Sequence, residues 1–147
     1  WEAALALLTA TVRCAIELDA IGYSATISAC EKGARWETAI ALLVAMGRAT
    51  VKPDTIIYNA TISSCEKGAD WEAALALLTA TVRCAIELDA IGYSATISAC
   101  EKGARWETAI ALLVAMGRAT VKPDTIIYNA TISSCEKGAD WEAALAL

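Results

Sequence analysis

An internal repeat constrains this chain more than any other feature. Residues 1–70 recur without a single change as residues 71–140, and a third copy begins at Trp141. A shorter period of 35 residues runs through both copies, and it is marked by the tryptophans Trp1, Trp36, Trp71, Trp106 and Trp141. Self-similarity at this period predicts a tandem array of small supersecondary units rather than one irregular globular core.

The first half of each 35-residue unit predicts a helix, which we call helix A. In residues 55–89, Tyr58, Ile62 and Cys65 lie at i, i+4 and i+7, which places them on one helical face. Gly68 follows this pattern, and we expect it to supply the left-handed geometry that ends the helix.

The second half of each unit predicts another helix, helix B. After Asp70, a predicted N-cap, the apolar residues Trp71, Ala74 and Leu78 repeat the helical spacing over about three turns. In the sister unit the corresponding helix ends at Gly47, so both kinds of unit are predicted helical hairpins.

Two short helices cannot bury both apolar faces by themselves, so the hairpins must stack and share one core. The sequence therefore predicts an all-α fold, an α-solenoid. Each tryptophan is expected to fill the wedge between helix B and its neighbours. Close helix approach is expected at the small residues Ala39, Ala74 and Ala109.

The cysteines favour buried free thiols over disulfides. Equivalent residues on stacked helices lie about 8 to 10 Å apart, which is too far for a bridge. Four cysteines belong to the apolar stripe of helix A: Cys30, Cys65, Cys100 and Cys135. Cys14 and Cys84 lie near the end of helix B and have no CxxC spacing, so we expect neither zinc nor thiol-redox chemistry there. Free thiols fit a reducing compartment such as the cytosol or an organelle matrix.

The remaining composition argues against catalysis and against a membrane span. The chain has no histidine, no glycine-rich phosphate loop and no converging carboxylates, so we expect no enzyme activity, no cofactor and no metal. Its apolar stretches are well short of the ~20 residues that a span needs. A net charge of −5 argues against the usual polybasic type of nucleic-acid or membrane binder, because the chain as a whole would repel a polyanion.

Several motifs together resemble the pentatricopeptide repeat, over the whole chain. They are the Tyr-Asn-Ala-Thr-Ile-Ser of residues 58–63, the Lys-Gly turn, the Trp-Glu-x-Ala second helix and the Val-Lys-Pro-Asp of residues 121–124. The tetratricopeptide repeat ranks behind, because its period is 34 and its landmarks are arranged differently. The resemblance implies a right-handed superhelix, and the chain is expected to be part of a longer array. Its register gives repeats 20–54, 55–89 and 90–124, with partial repeats at 1–19 and 125–147.

The resemblance implies a modular single-stranded RNA binder of mitochondria or plastids, in which two side chains per repeat choose one base. The implied pairs are Ser24 with Asp54, Asn59 with Asp89, and Ser94 with Asp124, and Asn129 would begin another. Family rules give Ser with Asp a preference for guanine and Asn with Asp a preference for uracil, so the implied readout is G-U-G. The bases would be sandwiched by Ile21, Ile56, Ile91 and Ile126.

A polar stripe accompanies these positions on helix A. Asn59, Ser63 and Lys67 lie at i, i+4 and i+8, and stacking turns such stripes into a polar ladder. The lysines expected to contact phosphates are Lys32, Lys67, Lys102 and Lys137. Each follows a glutamate directly, as Glu66 precedes Lys67. Adjacent residues on a helix point about 100° apart, which leaves room for Glu66 to face away.

Two other interpretations stay open at this stage. The aspartates of the pairs would serve equally well as stabilisers of helix N-termini. The alternative is a self-assembling structural scaffold, in which arrays associate head to tail into a filament. Three features favour it: the exact identity over 70 residues, the low charge and the uncapped apolar ends. A surface for protein partners is a further alternative.

Overall fold

The computed structural model describes residues 2–6 and 19–146. Over these residues the chain is all-α, with helices A and B in alternation and no strand. The helices A are α1 (Ala20–Lys32), α3 (Thr55–Lys67), α5 (Ala90–Lys102) and α7 (Thr125–Lys137). The helices B are α2 (Trp36–Arg48), α4 (Trp71–Arg83), α6 (Trp106–Arg118) and α8 (Trp141–Leu145). Residues 2–6 are helical as well. The predicted hairpins are confirmed.

The hairpins stack through their first helices. Each helix A packs against the next helix A. In addition, α1 packs against α2, and α3, α5 and α7 each pack against the helix B on either side in sequence, whereas no two described helices B touch in this way. The helices A therefore form a continuous layer, and equivalent residues of successive helices A come side by side. The core between the layers contains Ala39, Ala74 and Ala109, the small residues at which close helix approach is predicted, and all three are fully buried.

The turn between helices A and B corrects one prediction. Gly68 has φ −80° and is not left-handed. The left-handed residue is Ala69, with φ 57°. The glycine is needed for another reason, because a Cβ on Gly68 would lie 2.2 Å from Cδ1 of Trp36. The tryptophan of one hairpin thus packs against the turn of the next, which agrees with the predicted wedge.

The same contact recurs along the array. A Cβ on Gly103 would lie 2.4 Å from Cδ1 of Trp71, and one on Gly138 would lie 2.2 Å from Cδ1 of Trp106. Arg105 covers the ring of Trp71, with its guanidinium carbon 4.6 Å from the centroid, a distance at which a cation–π interaction stabilises the turn. Trp1 and Cys14 lie outside the described residues.

The four helix A thiols are buried and free, as predicted. Cys30, Cys65, Cys100 and Cys135 have no exposed surface, and none of them is in a disulfide. Burial raises the pKa of Cys65 and of Cys100 to about 11. Cys84 differs, because it lies exposed just after α4, where its sulfur accepts a 3.8 Å hydrogen bond from the Tyr58 hydroxyl.

None of the described helices is long and apolar enough to cross a bilayer.

Candidate nucleic-acid interface

The layer of helices A carries a row of exposed isoleucines. Ile21, Ile56, Ile91 and Ile126 occupy the same position in successive helices, and their exposed fractions are 76%, 66%, 61% and 66%. All four positions were those predicted to sandwich bases. Large aliphatic side chains left in water at a regular interval give up the stabilisation that burial would bring, so this row is a candidate contact surface.

A groove lies beside the first of these isoleucines. Its volume is about 320 Å³, and Ile21, Ser24 and Asp54 line it together with Ile57. Ser24 belongs to α1, and Asp54 is the residue before α3. The structure therefore brings the first predicted base-selecting pair to the same opening as the predicted sandwiching residue.

The third pair has the same arrangement. Ile91, Ser94 and Asp124 line a groove of about 340 Å³, which also includes Ser63 and Glu66 of the preceding helix A. Residues of two successive repeats, 55–89 and 90–124, thus meet at one opening, as expected for a ladder built by stacking.

The second pair is closed. The side-chain amide of Asn59 donates a 2.9 Å hydrogen bond to Oδ1 of Asp89. Only 8% of Asn59 is exposed, so this member of the expected polar ladder lies between helices and not on the wet surface. Its Oδ1 is buried without a hydrogen-bond partner. An orphaned acceptor of this kind costs about 1–3 kcal/mol, and its presence in a chain whose sister repeats use serine calls for an explanation.

The aspartates of the pairs also cap helices, which confirms that interpretation of them. Asp19, Asp54 and Asp124 each accept one backbone hydrogen bond from the first turn of the following helix A. Asp89 accepts two, from Ile91 and Gly92. All of these bonds go to Oδ1. The cap fixes the carboxylate at the entrance of the groove, so capping and base selection are compatible in one side chain.

The ladder lysines are held by glutamates of the preceding repeat. Lys67 Nζ lies 2.9 Å from Glu31 Oε1, and Lys137 Nζ lies 2.8 Å from Glu101 Oε1. Lys102 pairs in the same way with Glu66, whose backbone oxygen it also contacts at 2.9 Å. The glutamates therefore do not face away from the ladder.

This correction has a physical reason. The angle of about 100° between neighbouring residues allows Glu66 to point away from Lys67 on the same helix. Stacking nevertheless places Glu66 beside Lys102 of the next helix A. Lys32 is exposed and makes no ion pair with any described residue.

Glu101 is the most strongly engaged of these glutamates. Partial burial alone raises its pKa, but hydrogen bonds from Lys137 and Ser133 outweigh burial and hold the pKa below the usual 4.5. The Ser133 hydroxyl donates a hydrogen bond to Glu101 at 2.9 Å.

Asn129, the base-selecting residue predicted for the last partial repeat, is exposed on α7. Within the described ranges no three acidic or cysteine side chains are grouped to hold a metal ion.

The fold is a stack of helical hairpins of the pentatricopeptide-repeat type, with hairpins 35 residues apart. The chain is similar to the pentatricopeptide-repeat domain of Arabidopsis thaliana protein-only RNase P 1, solved in complex with tRNA. The TM-score is 0.84 at 14% identity, over 97% of this chain and 76% of that one.

Two structures of the maize pentatricopeptide repeat protein PPR10 are similar as well. The first has a TM-score of 0.82 at 20% identity, over 97% of this chain and 20% of that one. The second, a complex of PPR10 with an 18-nt psaJ RNA element, has a TM-score of 0.75 at 24% identity, over 88% of this chain and 19% of that one. The chain thus spans about a fifth of PPR10. No protein-family model and no curated protein matches the sequence.

Sequence reasoning missed two kinds of residue in this site, the glutamates of the ladder and a glycine. From the sequence alone, the glutamates were treated only as charges that oppose RNA binding; they are Glu31, Glu66 and Glu101. Gly92, which lies against Asn59, was not considered. A comparison of the two kinds of repeat contained the signal for Gly92, because glycine at this position alternates with Ile57 and Ile127.

Proposed function

We propose that this chain binds single-stranded RNA along its layer of helices A, one base per repeat, with the preference G-U-G. The observation that carries the proposal is the row of exposed isoleucines, two of which share a groove with a serine and an aspartate. The similar structures that contain RNA support it. From the resemblance of the motifs, we expect such a protein to act in mitochondria or plastids.

The mechanism assigns a separate task to each kind of residue. The exposed isoleucines contact the flat faces of successive bases; they are Ile21, Ile56, Ile91 and Ile126. Because every base has such a face, these contacts contribute affinity without selectivity. The paired residues contact the base edge, where the four bases differ. A serine leaves a roomy groove for the larger guanine, whereas Asn59 fills the corresponding space and suits the smaller uracil.

The phosphate contacts are the weakest part of this surface. Lys67, Lys102 and Lys137 already have carboxylate partners, so RNA phosphate must exchange with a glutamate before it gains an ion pair. The net charge of −5 acts in the same direction. We therefore expect binding in which stacking and base contacts contribute more than phosphate neutralisation, with a shallow salt dependence.

A fluorescence anisotropy titration tests the proposal. A single strand rich in G and U is compared with one rich in C and A at several salt concentrations. We expect tighter binding of the first strand at each salt concentration. Replacing Ile21, Ile56, Ile91 and Ile126 by serine should weaken both strands alike, because the isoleucines do not read the base.

The matched control replaces Val44 and Val114, which are half-exposed on the helices B, by serine. It should leave RNA binding unchanged. Absent binding, or equal binding of the two strands, would contradict the proposal. A particle size that grows with protein concentration would then favour the self-assembling scaffold.

A further inference from the structure

The selecting residue of one repeat lies against the third residue of the next. A Cβ built on Gly92 would lie 2.6 Å from Oδ1 of Asn59 and 3.0 Å from a methyl carbon of Leu88. No real Cβ approaches an oxygen this closely, so Asn59 occupies its position only because residue 92 is glycine. The contact joins α3 to the first turn of α5.

The sister repeats carry the opposite combination. Where the selector is Ser24, the third residue of the next repeat is Ile57, and both line the same groove. Where the selector is Ser94, that residue is Ile127, which is fully buried. A long selector thus goes with glycine and a short selector with isoleucine at every described junction.

We infer that Gly92 is a positioning residue for base selection: it makes the room in which Asn59 turns inward and bonds to Asp89. The inference rests on the proposed function. The choice of base then belongs to a junction between two repeats, and the residue at 57, 92 or 127 decides which selector the preceding repeat can hold.

The hydrogen bond and the contact act on the same amide. Asn59 donates from Nδ2 to Asp89, which turns its Oδ1 toward Gly92. A methyl group at residue 92 pushes this oxygen away and rotates the amide off Asp89. The pair then no longer presents one fixed pattern of donors and acceptors to a base edge.

The test uses four RNA strands that differ only in the base expected to face Asn59. The native chain should prefer uracil there by about tenfold. Gly92→Ala should lose most of this preference while binding at the flanking guanines persists. Gly117→Ala is the matched control, because it also adds one methyl group to a helix but meets nothing within 4 Å. It should keep the uracil preference.

Rescue separates positioning from general damage. Asn59→Ser/Gly92→Ala removes the oxygen that the methyl group would strike, and we expect it to prefer guanine at that base. In urea unfolding without RNA, the cost of Gly92→Ala should shrink when Asn59 is already serine.

The outcomes are distinct. A native chain with no preference among the four strands defeats the proposed function. A native chain that prefers uracil, with Gly92→Ala keeping that preference, defeats the inference about Gly92. If Gly92→Ala and the double variant both fail to fold, the clash does not involve Asn59 and the inference is also defeated.

Discussion

The side-chain amide of Asn59 donates a 2.9 Å hydrogen bond to Asp89, the last residue of the same repeat. With the same oxygen, Asp89 accepts hydrogen bonds from the backbone N–H groups of Ile91 and Gly92 in the first turn of α5, the first helix of the next repeat. One carboxylate therefore joins a helix cap to a predicted base selector. This arrangement ties the stability of the stack to the geometry of the candidate site.

Asp89→Ala should destabilise the chain more than Asp124→Ala does. Each loses a helix cap, at about 1 kcal/mol. Asp89→Ala also leaves the buried Asn59 amide without its partner, which adds about 1–3 kcal/mol. Urea unfolding followed by circular dichroism measures both. In an Asn59→Ala background the excess loss of Asp89→Ala should largely vanish, and an undiminished excess would contradict this interpretation.

The turn between helices A and B offers opposite effects at adjacent residues. Ala69→Gly should stabilise the chain by about 0.5–1 kcal/mol, because glycine adopts φ 57° without the strain that alanine bears. Gly68→Ala should destabilise it by about 1–3 kcal/mol, because the new methyl group strikes the Trp36 ring. Thermal melts of the two variants provide the measurement. The same sign for both would show that local conformation, not the tryptophan, governs the turn.

Freeing the ladder lysines should strengthen RNA binding. In Glu31→Gln/Glu66→Gln/Glu101→Gln the partners of Lys67, Lys102 and Lys137 lose their charge, so the lysines become available to phosphates. We expect higher affinity for the G- and U-rich strand. We also expect a slope of log affinity against log salt that is steeper by about 2, since each new phosphate contact on a single strand adds about 0.7.

The control for this variant removes the same number of charges elsewhere. Glu37, Glu72 and Glu107 are exposed in the first turn of helices B, away from the ladder. Their replacement by glutamine should change the salt slope little. Equal slopes for the two triple variants would assign the effect to net charge instead of to the lysines.

Thiol labelling should distinguish Cys84 from the cysteines of helix A. Cys14 and Cys84 lie in identical stretches of sequence, so a label on one is hard to tell from a label on the other. The experiment therefore uses a Cys14→Ser variant and counts the attached labels from the intact mass. At pH 8 one label should attach quickly, at the exposed Cys84. The other four thiols should react only when denaturant is added, because they are fully buried and burial raises their pKa. Rapid attachment of several labels would contradict the stacked core.

Acid should weaken the ladder through Glu101. Its pKa in the folded chain lies below the usual 4.5, so the folded state favours the ionised form. The resulting stabilisation is present above pH 4.5 and disappears as the pH falls through the lower pKa of the folded chain. Glu101→Gln should therefore lose less stability than the native chain between neutral pH and that range. Identical pH profiles from urea unfolding would contradict the shift.

The helices could be predicted from the sequence because their signals are local. The spacing of Tyr58, Ile62 and Cys65 indicated one face of α3, and Asp70 indicated where α4 begins. The interval of 35 residues then placed equivalent positions side by side, so the grooves beside Ser24 and Ser94 agree with the expected geometry. Base selection at these positions stays a prediction.

The errors arose where a residue is governed by a distant one. Gly68 was assigned to the left-handed position by a local rule, but Trp36 from the preceding hairpin determines why it is glycine. Glu66 was judged against Lys67 on the same helix, although its partner is Lys102 on the next. The spacing of residues along one helix does not predict which residues of two different helices come together, because that depends on how the hairpins pack.

The most direct test of the account compares two strands of identical composition. One carries G-U-G, and the other carries the permutation U-G-G in the same neutral flanks. The second strand mismatches two of the three repeats. If each repeat reads one base in register and each match contributes about tenfold, the chain binds the first strand about a hundredfold more tightly. Equal dissociation constants for the two strands would contradict base-by-base readout, whatever the affinity.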